Sequence, residues 1–226
     1  MTLNGLDITV IRSPRKKSMH IVIERDGSVC VQVPEDITDD RILSILQARE
    51  YQIHKKLLYW NELNKEQIDR QYVSGQSFMY LGKNYNLHLV SDQKRVLIFK
   101  DGKFLLSDKA DYPREAFVKF YKRQAKLKIQ ERLLLYQNTV SKMPGKVEIR
   151  ELPTRWASCT PAGNIYFNWK CIMAPMAVLD YLIIHELVHL EHPNHSRAFW
   201  DKVSVVCPGY QQHETWLKRN GVRMTV

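Results

Sequence analysis

The sequence predicts an α+β chain in two parts: a β-rich N-terminal lobe with one covering helix, residues 1–110, then a mainly helical lobe with a small sheet, residues 111–226. Three observations predict it. Apolar residues alternate in two stretches, 8–33 and 72–107, each punctuated by an Asp-Gly pair. Two longer stretches, from Thr38 to about Leu63 and from Tyr112 to about Val140, repeat at helical spacing instead. A third apolar run, Val178 to Leu190, is interrupted by Asp180, His185, Glu186 and His189.

In the first stretch, ITVIRS, MHIVIER and VCVQV read as paired strands, with Asp26-Gly27 as a hairpin turn between the last two. Thr38 is the candidate N-cap of the first helix, whose apolar residues are Ile42, Ile45, Leu46, Ile53, Leu57 and Leu58. The segments FMYLGKNYNLHLV, VLIF and FLLS return to strand character, broken by Gly82 and Asp101-Gly102. The second helix is assigned an apolar face of Phe117, Phe120, Tyr121, Leu127, Leu134 and Leu135, opposite a basic stripe of Lys119, Lys122, Arg123 and Lys126. A break at Pro144-Gly145 leads to the strand KVEIREL. The hairpin 155–168 follows, turning at Thr160-Pro161-Ala162-Gly163, and Pro175 opens the third helix.

Bulk properties narrow the class of protein. No apolar run approaches the roughly 18 residues needed to span a bilayer. The basic cluster near the N-terminus follows the short apolar stretch, the reverse of a secretory signal. Cys30, Cys159, Cys171 and Cys207 are scattered with no CxxC pair, which suits a reducing compartment, and the expected location is cytoplasmic. A formal net charge of +10 favours anionic partners, nucleic acid among them, without choosing one.

The segment His185-Glu-Leu-Val-His-Leu-Glu-His-Pro-Asn-His195 carries the chemistry. Helical positions i and i+4 share a face, so His185 and His189 can aim imidazoles at one ion about 2.0–2.1 Å away. The expected third ligand is His195, with His192 as its rival. Pro193 disfavours continued helix, and Asn194 tolerates the left-handed region, which suits a turn that brings His195 back. Glu186 is not expected to bind the ion but to act as general base on a water in its open position. The expected cofactor is Zn2+.

These residues, with Arg155-Trp156-Ala157-Ser158-Cys159, Gly163-Asn164-Ile165, Asn168-Trp169, Val178-Leu179-Asp180-Tyr181, Asn194-His195-Ser196 and Phe199-Trp200, resemble the YgjP-like or WLM-related group of zinc metallopeptidases. More distantly they are similar to SprT-like proteases. The likeness runs from the N-terminal basic strand segment to Trp216-Leu217, with Ala157 where the family usually has glycine. It implies a zincin-like catalytic half, in which a small antiparallel sheet lies over the HExxH helix and an edge strand borders the cleft. The hairpin 155–168 is the expected border. The histidine spacing also matches the longer metzincin pattern, but His192 stands where that group has glycine, and no Met-turn signal follows.

The resulting expectation is a zinc-dependent hydrolase, a metallopeptidase first and a nucleotide pyrophosphatase or other phosphohydrolase as the alternative. A nucleic-acid-binding or scaffolding protein with a structural metal is the third reading. Tyr210, Arg155 and His213 are candidate electrophiles for the transition state, and Tyr166 is a candidate cleft contact. The partners are a peptide or nucleotide substrate and no membrane.

Overall fold

The computed structural model describes residues 1–14, 18–24, 26–64, 69–152 and 155–226. Part of the basic cluster, residues 15–17, and the Arg25 end of the second strand run lie outside them. The chain divides into two compact units, Met1–Gln67 and Ile68–Val226. The division therefore falls well before the 110/111 boundary read from the sequence.

In the first unit, β1 (Thr2–Leu3), β2 (Leu6–Arg12), β3 (His20–Ile23) and β4 (Val29–Val33) form one sheet in the order β1-β2-β4-β3. The β3–β4 hairpin is antiparallel, while β2 runs parallel to β4. The Asp26 carboxylate accepts from the Ser28 N–H and hydroxyl at 2.9 and 2.7 Å, which fixes the Asp-Gly turn. Helix α1 (Asp39–Asn64) starts at Thr38, whose hydroxyl accepts from the Arg41 N–H at 3.4 Å. Ile42, Leu46 and Ile53 pack with Leu3, Ile8, Val29, Val31 and Val33 into a closed core, while Leu58 is exposed. Alternation along β4 puts Val29, Val31 and Val33 on that face.

The second unit begins with a four-stranded sheet of β5 (Ser77–Tyr80), β6 (Lys83–Val90), β7 (Leu97–Lys100) and β8 (Lys103–Ser107), ordered β5-β6-β8-β7. Its inner face packs on helix α2 (Pro113–Tyr136): Phe78 stacks on Phe117 at 4.1 Å, and Phe104 meets both Phe117 and Phe120. This shared aromatic core explains the boundary. The second sheet packs with α2 in one core. The buried face of α2 is Phe117, Phe120, Tyr121, Ala125, Ile129 and Leu133. Leu127, Leu134 and Leu135, assigned to it from the sequence, are 57%, 66% and 59% exposed.

A smaller sheet follows, of β9 (Val147–Arg150), β10 (Ala157–Cys159) and β11 (Ile165–Asn168), ordered β10-β11-β9. It is mixed: β11 is antiparallel to β10 but parallel to β9. The expected antiparallel sheet is corrected here, because the β10–β11 hairpin folds back so that its second strand, not its first, lies beside β9. A 3-10 turn, Trp169–Met173, then leads into α3 (Met176–Val188), and α4 (Arg197–Val206) and α5 (Tyr210–Asn220) complete the unit.

Several contacts seat α3. Its guanidinium partner is Arg132 of α2, whose Nε and Nη2 donate to the two oxygens of Asp180 at 2.6 Å each. At its start, Gly82 lies against Pro175 in a left-handed conformation (φ +78°), and a Cβ there would stand 2.8 Å from the proline Cα. Only glycine permits that approach of the β5–β6 turn to the helix. Ten of the helix's residues are buried, Val178 to Ile184 and Glu186 to Val188, so α3 is the central rod of the unit. Among the described residues no helix is long and apolar enough to cross a membrane.

Candidate metal centre

Helix α3 ends at a cluster of histidines. His185 is in its last turn and His189 is its C-cap residue, so the pair keeps the i, i+4 relation. The chain then makes a short turn: the His192 N–H donates to the Val188 carbonyl at 2.9 Å, and the Ser196 N–H to the Asn194 carbonyl at 2.8 Å. Asn194 is not among the residues with positive φ, so the turn is made without the left-handed conformation expected for it. Ser196 caps α4, its hydroxyl accepting from the Phe199 N–H at 3.4 Å. His195, just before that cap, is returned toward α3.

One ring nitrogen from each of His185, His189 and His195 lies within 4.8 Å of the others. The Nε2 atoms of His195 and His185 are 3.0 Å apart, near the roughly 3.3 Å between two ligands bonded at about 2.0 Å in a tetrahedron. His189 directs Nδ1 at the His192 carbonyl, 3.1 Å away, which leaves its Nε2 lone pair for the ion. The His192 backbone thus orients the His189 ring, and its imidazole is not in the cluster.

All three rings surround Phe199, with centroids 4.9, 4.6 and 4.7 Å from it, and Phe199 is fully buried. Trp200 stacks on His195 at 5.4 Å and on Tyr210 at 5.0 Å, and Tyr210 stacks on Tyr181 at 6.2 Å. This aromatic wall restricts the rotamers of the histidines. Reading of the residues themselves did not find it; the signal was the i, i+4 pair Phe199 and Val203 after a serine cap, which marks the buried face of α4.

Burial, then the neighbouring His189 and His195, pushes the His185 pKa down to about 3, so its imidazole is neutral. Burial also lowers the His189 pKa. Neutral imidazoles are the ligand form, and nitrogen donors of this kind suit zinc and other first-row metals. The residues thus fit a metal ion.

The expected fold class, with its zincin-like half built over an HExxH helix, is corrected by this cluster. The metal-competent group is three histidines, two from α3 and one from the following turn, and Glu186 supplies no atom to it. One position along a helix is 100° around its axis, so Glu186 lies beside the shared ligand face, lining the same cleft without belonging to the cluster. The architecture is α+β with a helical region carrying the histidines, and the zincin-like arrangement implied by resemblance does not describe it.

Glu186 is 4% exposed, and its Oε2 is buried without a hydrogen-bond partner, as is His185 Nδ1. Burial pushes the Glu186 pKa up to about 8, with the Arg155 guanidinium acting in the opposite direction. Burial, and after it Glu186, raises the Cys159 thiol to about 11.

These groups open into a cleft of about 1050 Å³ lined by Arg155, residues 157–163, His185, Glu186, His189 and His195, with Lys142 and Met143 on its border. The border strand is β10, which lies at the edge of its sheet. Asn168 shapes this wall: its side-chain amide donates to the Leu152 and Arg155 carbonyls at 2.7 and 3.2 Å. On the far side, Glu191 accepts from the Ser141 N–H and hydroxyl, which holds the segment bearing Lys142 and Met143.

Of the other residues proposed from sequence, Arg155 lines the cleft. Tyr166, Tyr210 and His213 are not among its lining residues. Tyr166 lies on the middle strand beneath the Arg150 guanidinium, 3.8 Å from the ring centroid. Tyr210 belongs to the aromatic wall, and His213 packs 6.2 Å from Tyr181.

No curated protein matches the chain. Among solved structures, the crystal structure of the metallopeptidase zymogen of Pyrococcus abyssi abylysin is similar at 27% identity, with a TM-score of 0.32, over 44% of this chain and 90% of that one. The family model for the YgjP-like metallopeptidase domain matches residues 17–220, and the chain belongs to the YgjP-like family.

Proposed function

We propose that the chain is a zinc-dependent hydrolase of polypeptides in which Glu186 is the general base. The observation that carries the reading is the pairing of three convergent imidazoles with a buried, unpartnered carboxylate oxygen in one cleft. Zinc, held by the three histidines, would supply a Lewis acid that makes water more acidic and polarises a carbonyl.

The chain's own residues do the rest. Glu186 accepts a proton from water at Oε2 and passes it to the leaving amine. The His192 carbonyl keeps the His189 proton on Nδ1. Phe199 and Trp200 hold the imidazoles in place and exclude water from their inner side. The outer edge of β10 offers backbone N–H and C=O groups to an extended peptide, which adds to the sheet as a further strand. Arg155, at the end of that edge, donates to a substrate carbonyl oxygen.

Zinc-loaded protein assayed side by side on an unfolded polypeptide and on nucleoside triphosphates tests the reading. Polypeptide cleavage without nucleotide hydrolysis is the expected result. Phosphate release with intact polypeptide would move the chemistry to phosphoanhydrides and overturn it.

A further inference from the structure

A second cavity, of about 590 Å³, shares no lining residue with the metal cleft. It is built by the segment entering β7, the segment leaving β8 and the first turns of α2. We propose that this groove binds acidic polypeptide segments that carry an apolar side chain.

The floor is apolar. Phe120 is 5% exposed and Leu97, Ala110 and Ala116 are half-buried, while Val96, on the lip, is 50% exposed. Four cations line the same groove: Arg95, Lys109, Lys119 and Arg123. Among the described residues none of the four makes an ion pair. Arg123 has a different contact, over the Phe120 ring at 5.9 Å. The lining also holds two carboxylates, Asp111 and Glu115, so four positive charges against two negative leave the groove cationic. A smaller depression continues along α2 past Lys119 to Lys122, extending the positive track.

These features select an occupant. An apolar group is drawn from water onto the floor, and negative charge is drawn to the rim, where four cations repel one another until an anion arrives. The volume falls within the range of about 300–1,000 Å³ typical of ligand pockets, enough for a bulky side chain and its backbone. Single-stranded nucleic acid is a poorer match, because it stacks on successive aromatic platforms. This groove exposes one such ring, Tyr112, at 72%, while Phe120 is turned into the core.

The test uses the full chain and short fluorescent peptides, read by anisotropy: glutamates around one phenylalanine, the same peptide with glutamines, and the glutamate peptide with serine for phenylalanine. A single-stranded oligonucleotide is the fourth probe. The acidic aromatic peptide should bind at least about tenfold more tightly than either analogue, and added salt should weaken it. Lys119→Glu and Arg95→Glu should each weaken it about tenfold while hydrolysis of a short neutral peptide in the metal cleft is unchanged. Both positions are exposed, and Lys119→Gln, with a smaller loss, guards against a folding artefact. Equal binding of the glutamine peptide, or binding indifferent to the charge reversals, would overturn the proposal. Tighter binding of the oligonucleotide, lost in the same variants, would overturn it in favour of a nucleic-acid surface.

Discussion

The metal cleft and the cationic groove are two openings in the same unit, and they differ in what their buried polar atoms lack. In the cleft, Glu186 Oε2 and His185 Nδ1 are both buried without partners. In the groove, among the described residues, no lining atom is in that condition, and the charges stand at the rim in water. A buried unpaired polar atom costs about 1–3 kcal/mol. Two residues that line one cleft each keep such an atom, a cost that fits the reaction proposed there, whereas a groove with solvated cations over an apolar floor gives up little.

The largest expected effect breaks the comparison most sharply. His185→Ala, His189→Ala or His195→Ala should each abolish stoichiometric zinc binding and hydrolysis, as measured by metal analysis and peptide cleavage. Binding of the acidic peptide to the groove should persist, since the two openings share no residue. Loss of both functions together would mean that they are not separate sites.

Removing the carboxylate behind the cleft comes next. Asp180→Ala leaves the half-buried Arg132 guanidinium without its bidentate partner, and about 1.5–3 kcal/mol of stability should be lost. Denaturant unfolding of wild type and variant measures it, and a loss within experimental error would show that other contacts seat α3. The smallest effect is expected from Tyr166→Ala. That ring stacks under Arg150 on the middle strand, so peptide hydrolysis should change less than about threefold, equivalent to about 0.6 kcal/mol. A loss of a hundredfold or more would return Tyr166 to the cleft.

What the sequence made legible follows from the range of each signal. The histidine pair was readable because helical geometry alone places i and i+4 together, and Pro193 announced the turn that returns His195. Arg155 was proposed from its chemistry and lines the cleft; Tyr210 and His213 were proposed on the same ground, and Tyr166 from its place on the hairpin, and these three are not among its lining residues. Residue type says what a side chain can do, and only the sheet order and the packing of α4 and α5 say where it points. Helix and strand periods were clear in both units, but the face of α2 was not. Apolar residues nearly encircle that helix, and tertiary packing chose Ala125, Ile129 and Leu133 over Leu127, Leu134 and Leu135.

Strand order was the least legible feature. Asp-Gly marked the β3–β4 turn, but the parallel pairs β2–β4, β6–β8 and β9–β11 join segments separated by another strand, and no local signal encodes them. The boundary read at 110/111 differs from the division into compact units for a related reason. Phe78 and Phe104 alternate like any strand residues, and nothing in that alternation reveals that their partners are Phe117 and Phe120 of the next helix.

The central claim is that three histidines hold the ion while the adjacent carboxylate moves the proton. Glu186→Gln tests it most directly, because the amide keeps the side chain's size and removes its basicity. Purified variant should retain about one zinc per chain and unfold with wild-type stability, while peptide hydrolysis falls by several orders of magnitude. Full activity with bound zinc would contradict the role given to Glu186, and loss of the zinc would contradict its place outside the metal's ligands.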